Sequence, residues 1–176
     1  MSKTVTIFGS SLPVPGEKEY EDAYNIALIL CSNGFNICNG GYQGVMDATA
    51  KAAKENKTEA FGITVPHFSA KVSEHLTKVI YTDTLFERIS KLIEIADAFV
   101  VLAGGTGTLL ELSAIWEFMN KRIIPIKPIA VYGNIWGNLI SIMDERMIVE
   151  KRQTGLINYF DDLEACSDFI ITSLKK

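Results

Sequence analysis

Histidine and cysteine, two common ligands of structural metals, are scarce in this sequence. Its 176 residues include only two histidines, His67 and His75, and their spacing matches no zinc-binding pattern. The three cysteines, Cys31, Cys38 and Cys166, are odd in number and contain no CxxC pair. We therefore predict no metal site and no disulfide framework, and we interpret the cysteines as buried, reduced thiols of a cytoplasmic protein.

The sequence also lacks long apolar segments and an excess of positive charge. No apolar run approaches the roughly 20 residues of a membrane-spanning helix, and the first strand pattern starts too early to leave room for a signal peptide. The net charge of -4 gives no electrostatic reason to expect binding to nucleic acid or to an anionic membrane. Any phosphate group must therefore be bound by local geometry and not by a basic surface.

Short apolar segments alternate with longer amphipathic ones along the chain. The short segments have the composition of β-strands and cover residues 4–8, 35–38, 59–65, 78–81, 98–102 and 128–132. The longer segments repeat apolar residues at helical spacing over residues 17–33, 45–56, 85–96, 108–119, 136–148 and 163–174. This alternation predicts one α/β domain over residues 1–176, with a doubly wound parallel sheet and helices on both faces.

Three of the predicted strands end in small, flexible residues. Glycines follow the first strand at Gly9, the second at Gly40 and Gly41, and the fifth at Gly104. Ligands of open parallel sheets bind at the carboxyl ends of the strands, so three such ends favour a shared pocket over three ordinary tight turns. A loop that leads into a helix also presents free N–H groups, which favour an anionic ligand.

The loop after the fifth strand predicts a phosphate ligand without matching the common nucleotide motifs. It lacks the Gly-Lys-Ser/Thr ending of a P-loop, and a dinucleotide fingerprint would follow the first strand. A phosphate or a monophosphate is the expected ligand, and no cofactor is predicted. Met46, beside the second glycine turn, is equally compatible with core packing. The candidate substrate-binding residues are Gly9, Ser10, Gly41, Met46, Gly104, Gly105, Thr106, Gly107 and Thr108.

Glu111 allows two interpretations. The segment from Thr108 to Glu111 has the form of a capping box, in which the glutamate only satisfies the start of a helix, and the spacing by itself favours this interpretation. Alternatively, Glu111 lies one turn inside the helix that opens on the glycine loop, close to a bound sugar. A carboxylate there can stabilise positive charge at an anomeric carbon or orient a water molecule towards it.

Arg88 also allows two interpretations. It can lie on a solvated helix face, beside an i,i+4 ion pair formed by Glu87 and Lys91. However, a helix that begins near Asp83 or Thr84 places Arg88 in its first turn or just past it. A cation is unfavourable there unless an anionic group lies nearby, and this conflict favours a functional role.

Four segments resemble the LOG family, the cytokinin riboside 5′-monophosphate phosphoribohydrolases that were formerly labelled lysine decarboxylases. Residues 104–111, GGTGTLLE, resemble the PGGxGTxxE motif of that family, and Glu87-Arg88 stands at the spacing of its second, arginine-containing motif. Residues 40–46, GGYQGVM, resemble its glycine-rich turn after the second strand, and residues 9–11 fit the end of the first strand. The resemblance covers roughly the first 145 residues.

This resemblance implies a Rossmann-like fold, a homodimer with sites near the interface, and hydrolysis of the N-glycosidic bond of a nucleoside 5′-monophosphate such as AMP. The products would be a free base and ribose 5-phosphate, with Arg88 and Glu111 as the catalytic pair. Trp116 and Trp136 are the apolar candidates for the dimer surface.

The sequence departs from the family pattern at four positions. Ala103 stands in place of the motif proline, and Asp47 in place of a common glycine. Ile89 occupies the position of a basic residue that commonly follows the motif arginine, and Phe86 lies two positions before that arginine. The molybdenum cofactor carrier proteins, relatives with this fold, are described as binders. A non-catalytic carrier of a phosphorylated ligand is therefore the alternative function.

Overall fold

The computed structural model describes residues 2–66 and 70–175. Within this part of the chain, the strands are β1 (Thr4–Phe8), β2 (Asn36–Asn39), β3 (Ala60–Thr64), β4 (Lys78–Tyr81), β5 (Ala98–Val101), β6 (Ile129–Tyr132) and β7 (Asn158–Phe160). The helices are α1 (Lys18–Ser32), α2 (Val45–Glu55), α3 (Leu85–Ile95), α4 (Thr106–Asn120), α5 (Asn134–Val149) and α6 (Leu163–Leu174). None of these described helices has the length and apolar character needed to cross a membrane.

The strands form one parallel sheet in the order β4-β3-β2-β1-β5-β6-β7. The chain adds β2, β3 and β4 outward on one side of β1 and then returns to place β5 on the other side. The strand order therefore reverses between β1 and β5, which opens a crevice at their carboxyl ends. This topology confirms the predicted single-domain, Rossmann-like, doubly wound α/β fold.

Apolar side chains cover both faces of the sheet, and β5 shows why. All four of its residues are buried, as expected of a central strand, and successive residues point to opposite faces. Val100 lies in the apolar layer formed with α1, α2 and α6. Phe99 and Val101 lie in the layer formed with α3, α4 and α5. The prediction of helices on both faces is therefore confirmed.

The structure differs from the predicted elements at three places. β7 was not predicted, because it has only three residues, which are too few to show a period, and it forms by pairing with β6 at the sheet edge. Helix α4 begins at Thr106, two residues before its predicted start, and α5 begins at Asn134, also two residues early. The shift in α4 decides how Glu111 is interpreted.

The scarce residues and the tryptophans have clear positions. All three cysteines are buried free thiols, as predicted. His67 lies outside the described residues, and the described part of the chain contains no group of three or more histidine, cysteine, aspartate or glutamate side chains that could hold a metal. Trp136 is only 2% exposed and donates a hydrogen bond to the Leu102 carbonyl at 3.1 Å, and Trp116 is 6% exposed. Both tryptophans therefore belong to the core and are not the exposed surface candidates we expected.

Candidate active site

A cavity of about 750 Å³ opens at the carboxyl ends of β1 and β5. Nine of the eleven predicted site residues line it, namely Gly9, Ser10, Met46, Arg88, Gly105, Thr106, Gly107, Thr108 and Glu111. The other two, Gly41 and Gly104, lie outside the lining and shape the loops around it. The lining also includes side chains that the sequence did not single out, among them Leu12 and Tyr42.

Ser10 joins the loops that surround the cavity. Its backbone N–H donates to the Ala103 carbonyl at 2.9 Å, and its carbonyl accepts from the Val45 N–H at 2.9 Å. The loop after β1 is thereby bound both to the loop after β5 and to the start of α2. At Gly104 a Cβ atom would overlap the hydroxyl of Thr108, so this close approach requires glycine.

The N-terminus of α4 faces the cavity. The helix begins at Thr106, and its N-cap residue, Gly105, has no side chain to satisfy the first N–H groups. The first turn also contains no acidic residue. Free N–H groups and the positive end of the helix dipole make this a suitable place for a phosphate. The predicted capping box is wrong, because Thr108 lies inside the helix and not at its N-cap.

Arg88 and Glu111 form a buried ion pair at the wall of the cavity. The Arg88 Nη1 atom lies 3.2 Å from the Glu111 Oε1 atom, although the two residues are 23 positions apart in the sequence. Both residues are buried, at 7% and 8% exposure. The Arg88 Nε–H also donates to the carbonyl of Ile63, at the end of β3, at a distance of 2.8 Å. The guanidinium is therefore held by a backbone carbonyl and a carboxylate.

Burial raises the pKa of Glu111 from 4.5 to about 7, although the charge of Arg88 and its hydrogen bond lower it. Desolvation disfavours the ionised carboxylate and outweighs the attraction of the arginine. Near neutral pH the carboxyl group therefore exists in both protonated and ionised forms. A buried group with a strongly perturbed pKa in a cleft is typical of a functional site.

The cap at the start of α3 places Arg88 one turn inside the helix. Thr84 is the N-cap residue and accepts a hydrogen bond from the Glu87 N–H at 3.2 Å, while the Glu87 carboxylate accepts one from a backbone N–H just before the helix. The predicted ion pair of Glu87 with Lys91 is wrong, since Lys91 pairs with Glu94 at 2.9 Å. The anionic group expected near Arg88 is present, and it is Glu111.

The turn after β2 supplies a close contact to the guanidinium. A Cβ atom at residue 40 would overlap Arg88 Nη2, so Gly40 lets the arginine pass over the backbone. Gly41 has a φ of 81° and donates its N–H to the side chain of Asn39 at 2.8 Å, which fixes the turn. The sequence pointed to this turn through its glycines, but it did not show that the turn packs on Arg88.

The departures from the LOG motif add no cation to the described part of the cavity lining. Ile89 is buried in the apolar layer around α3, and Phe86 is 76% exposed and outside the lining. Among the described residues of the lining, Arg88 is the only cation. Asp47 does not line the cavity. It accepts a hydrogen bond from Ser73 and so connects α2 to the segment between β3 and β4.

The fold and the site together define a Rossmann-like α/β protein whose helix N-terminus and buried arginine–glutamate pair share one cavity. The chain belongs to the SLOG cluster4 family, whose model matches residues 2–158. It is 27% identical to the cytokinin riboside 5′-monophosphate phosphoribohydrolase of Mycobacterium tuberculosis, over 93% of each chain. It is 28% identical to the enzyme of the same name from Rhodococcoides fascians, over 88% of this chain and 87% of that one. These matches confirm the resemblance to the LOG family.

Solved structures show the same fold at lower identity. The molybdenum cofactor binding protein from Rippkaea orientalis has a TM-score of 0.78 and 18% identity, with coverage of 100% of this chain and 99% of that one. The molybdenum cofactor carrier protein from Chlamydomonas reinhardtii has a TM-score of 0.77 and 18% identity, with both chains fully covered. At this identity the likeness establishes the fold alone.

Proposed function

We propose that this protein hydrolyses the N-glycosidic bond of a nucleoside 5′-monophosphate, such as AMP or a modified AMP, to a free base and ribose 5-phosphate. The observation that carries the proposal is the buried ion pair of Arg88 and Glu111, which lines the same cavity as the N-terminus of α4. The names of the relatives from Mycobacterium tuberculosis and Rhodococcoides fascians support this reaction class.

In the proposed complex, the phosphate binds to the first turn of α4. The N–H groups from Gly105 to Thr108 donate to its oxygens, and the helix dipole adds to the attraction. Gly9 and Ser10 border the same space from the end of β1, and Met46 borders it from α2. The ribose then lies near Glu111, which is one turn further along α4 than the phosphate.

Glu111 acts in its ionised form. As the bond from the anomeric carbon to the base nitrogen breaks, the base takes the bonding electron pair and positive charge develops on the ribose. The carboxylate stabilises that charge and accepts a proton from the water molecule that attacks the anomeric carbon. The base is released after it gains a proton from solvent. Arg88 favours the ionised form of Glu111, against the effect of burial, and orients the base or the sugar.

The direct test is to incubate the protein with AMP and related monophosphates and to measure free base and ribose 5-phosphate. Glu111→Gln and Arg88→Lys should each lower kcat by about 10²- to 10³-fold, as loss of a charge-stabilising group does. A matched control is Glu94→Gln, which neutralises a carboxylate of an exposed ion pair with Lys91 and should leave kcat unchanged. Full turnover in Glu111→Gln would mean that Glu111 serves only the fold.

The second candidate is a non-catalytic carrier of a phosphorylated ligand, either a nucleotide or a molecule like the molybdenum cofactor. The observation that favours it is the single cation, Arg88, among the described lining residues, since Ile89 and Phe86 contribute none. Titration calorimetry with AMP separates the two functions. Tight binding of AMP without release of base would support the carrier, and the absence of both would contradict hydrolysis of AMP and a carrier of AMP.

We also propose a homodimer that forms through α4 and α5. An apolar groove of about 420 Å³ lies between these helices and is bordered by Trp116 and Met143. On α5, Ile142 and Val149 are 65% and 70% exposed and, being seven positions apart, they lie on one face of the helix. Exposed apolar residues that share a face are typical of an interaction surface. Light scattering should give a dimer for the unmodified chain and a monomer for Ile142→Asp. Tyr81→Asp, on the edge strand β4, is the control and should remain a dimer.

A further inference from the structure

Tyr42 is a large aromatic residue in a turn that otherwise consists mainly of small residues. It follows Gly40 and Gly41 after β2, it is only 5% exposed, and its side chain lines the cavity. The reaction proposed above uses the phosphate loop, Arg88 and Glu111, and it leaves Tyr42 without a role. Its contacts nevertheless lead directly to the ion pair.

The hydroxyl of Tyr42 is fixed by both backbone groups of a single residue. It donates to the Val65 carbonyl at 2.9 Å and accepts from the Val65 N–H at 2.9 Å. Val65 directly follows β3, so these two bonds hold the aromatic ring against the end of that strand. A phenylalanine would fill the same space but would leave both buried backbone groups without this partner, which is costly.

The ring of Tyr42 in turn lies beside the guanidinium of Arg88. The Arg88 Cζ atom is 5.8 Å from the ring centroid, within the range in which a cation is attracted to an aromatic face. The arginine side chain donates hydrogen bonds to the Ile63 carbonyl at 2.8 Å and to Glu111 at 3.2 Å. Ile63, whose carbonyl accepts from Arg88, and Val65, whose backbone holds the Tyr42 hydroxyl, are two residues apart at the end of β3.

We propose that Tyr42 is a positioning residue that holds the Arg88 guanidinium against Glu111. An aliphatic side chain of similar size would fill the turn, but it would neither bond to Val65 nor attract a cation. The inference rests on the proposed function, because it assigns the catalytic work to the ion pair that Tyr42 positions.

The test compares Tyr42→Leu and Tyr42→Phe with a matched tyrosine elsewhere. Tyr24 on α1 has a lysine, Lys51, 5.4 Å from its ring centroid and a hydroxyl bonded to Glu55, and it does not line the cavity. Tyr42→Leu should lower kcat for base release from AMP by about 10- to 100-fold, as a misplaced catalytic group does, with KM nearly unchanged because the phosphate loop is intact. Tyr42→Phe should lie between Tyr42→Leu and the unmodified protein, and Tyr24→Leu should have no effect.

A double-mutant cycle shows whether Tyr42 acts through Arg88. If it does, Tyr42→Leu should cause no further loss of kcat in protein that already carries Arg88→Ala. An equal loss of kcat in both backgrounds would overturn the proposal, because Tyr42 would then act independently of the arginine.

A second measurement does not depend on turnover and so separates this inference from the proposed function. Carboxyl carbon NMR of labelled glutamate reports the titration of Glu111 directly. Because Arg88 lowers the pKa of Glu111, a displaced guanidinium in Tyr42→Leu should move this pKa above its value of about 7, whereas Tyr24→Leu should not. If the unmodified protein releases no base, the proposed function fails and this titration still decides the role of Tyr42. An unchanged Glu111 titration in Tyr42→Leu, or in Tyr42→Phe if the leucine variant does not fold, would overturn it.

Discussion

Glu111→Gln should stabilise the fold while it removes activity, and the effect should depend on pH. Burial raises the pKa of Glu111 from 4.5 to about 7, so the folded protein holds this proton more tightly than the unfolded chain does. Ionising the folded carboxyl group therefore costs about 3 kcal/mol of the free energy of unfolding once the pH exceeds both values. The attraction of Arg88 is already included in this figure, because the raised pKa is the net result of burial and that attraction.

The sign follows from the two pKa values. Below pH 4.5 the carboxyl group is protonated in both the folded and the unfolded protein, and it then does not lower the free energy of unfolding. As the pH rises from 4.5 through about 7, the free energy of unfolding decreases because only the unfolded chain ionises this group readily. Glutamine has the shape of the protonated form and no charge at any pH. Glu111→Gln should therefore be more stable than the unmodified protein by about 3 kcal/mol near pH 8, and by less than about 1 kcal/mol near pH 4.5.

Urea unfolding of both proteins at about pH 4.5 and about pH 8, followed by circular dichroism, measures this difference. The control is Glu94→Gln, whose carboxylate is mainly exposed in an ion pair with Lys91, and whose removal should change stability by less than about 1 kcal/mol at either pH. The reasoning would be refuted if Glu111→Gln gave the same difference at both pH values. It would also be refuted if this variant were the less stable protein near pH 8.

Four further predictions follow from the site and its surroundings. The kcat/KM for base release should rise with pH through about 7, because only ionised Glu111 stabilises the developing charge; a flat profile from about pH 5 to 9 would exclude this role. Gly40→Ala should abolish base release, because its Cβ atom would displace Arg88, whereas Gly107→Ala meets no atom within 4 Å and should stabilise α4 by about 0.5–1 kcal/mol in thermal or urea unfolding. Trp136→Phe should cost about 1–3 kcal/mol in urea unfolding, because it leaves a buried backbone carbonyl without its donor; a neutral change would contradict the hydrogen bond.

Patterns that are local in the sequence predicted most of the secondary structure. The helical spacing of α1 is visible because burial on one face imposes a period on its residues, and β5 is visible as a continuous apolar run because it is buried on both faces. β7 escaped prediction because three residues cannot show a period. The glycine-rich strand ends at Gly9 and Gly105 also predicted the cavity correctly, since both line it.

The side-chain roles at the site were harder to predict. Thr108 and Glu111 have the spacing of a capping box, yet the helix begins at Thr106, and this shift of two residues frees the glutamate to meet Arg88. No local pattern distinguishes a helix that begins at Thr106 from one that begins at Thr108, because the apolar spacing further along the helix is the same in both cases. The side-chain cap near the site is at the start of α3, where Thr84 accepts a hydrogen bond from the backbone N–H of the residue three positions later.

By itself, the sequence determined the alternation of strands and helices, the glycine-rich ends of the strands, and the resemblance to the LOG family. Only the tertiary structure decided that β5 lies beside β1, that Arg88 meets Glu111 in a buried pair, and that the ring of Tyr42 lies against the guanidinium. The physical reason is that periodicity reports how one segment faces the core, whereas these contacts join segments far apart in the chain. The raised pKa of Glu111 has the same origin, because it depends on the burial that several segments create together.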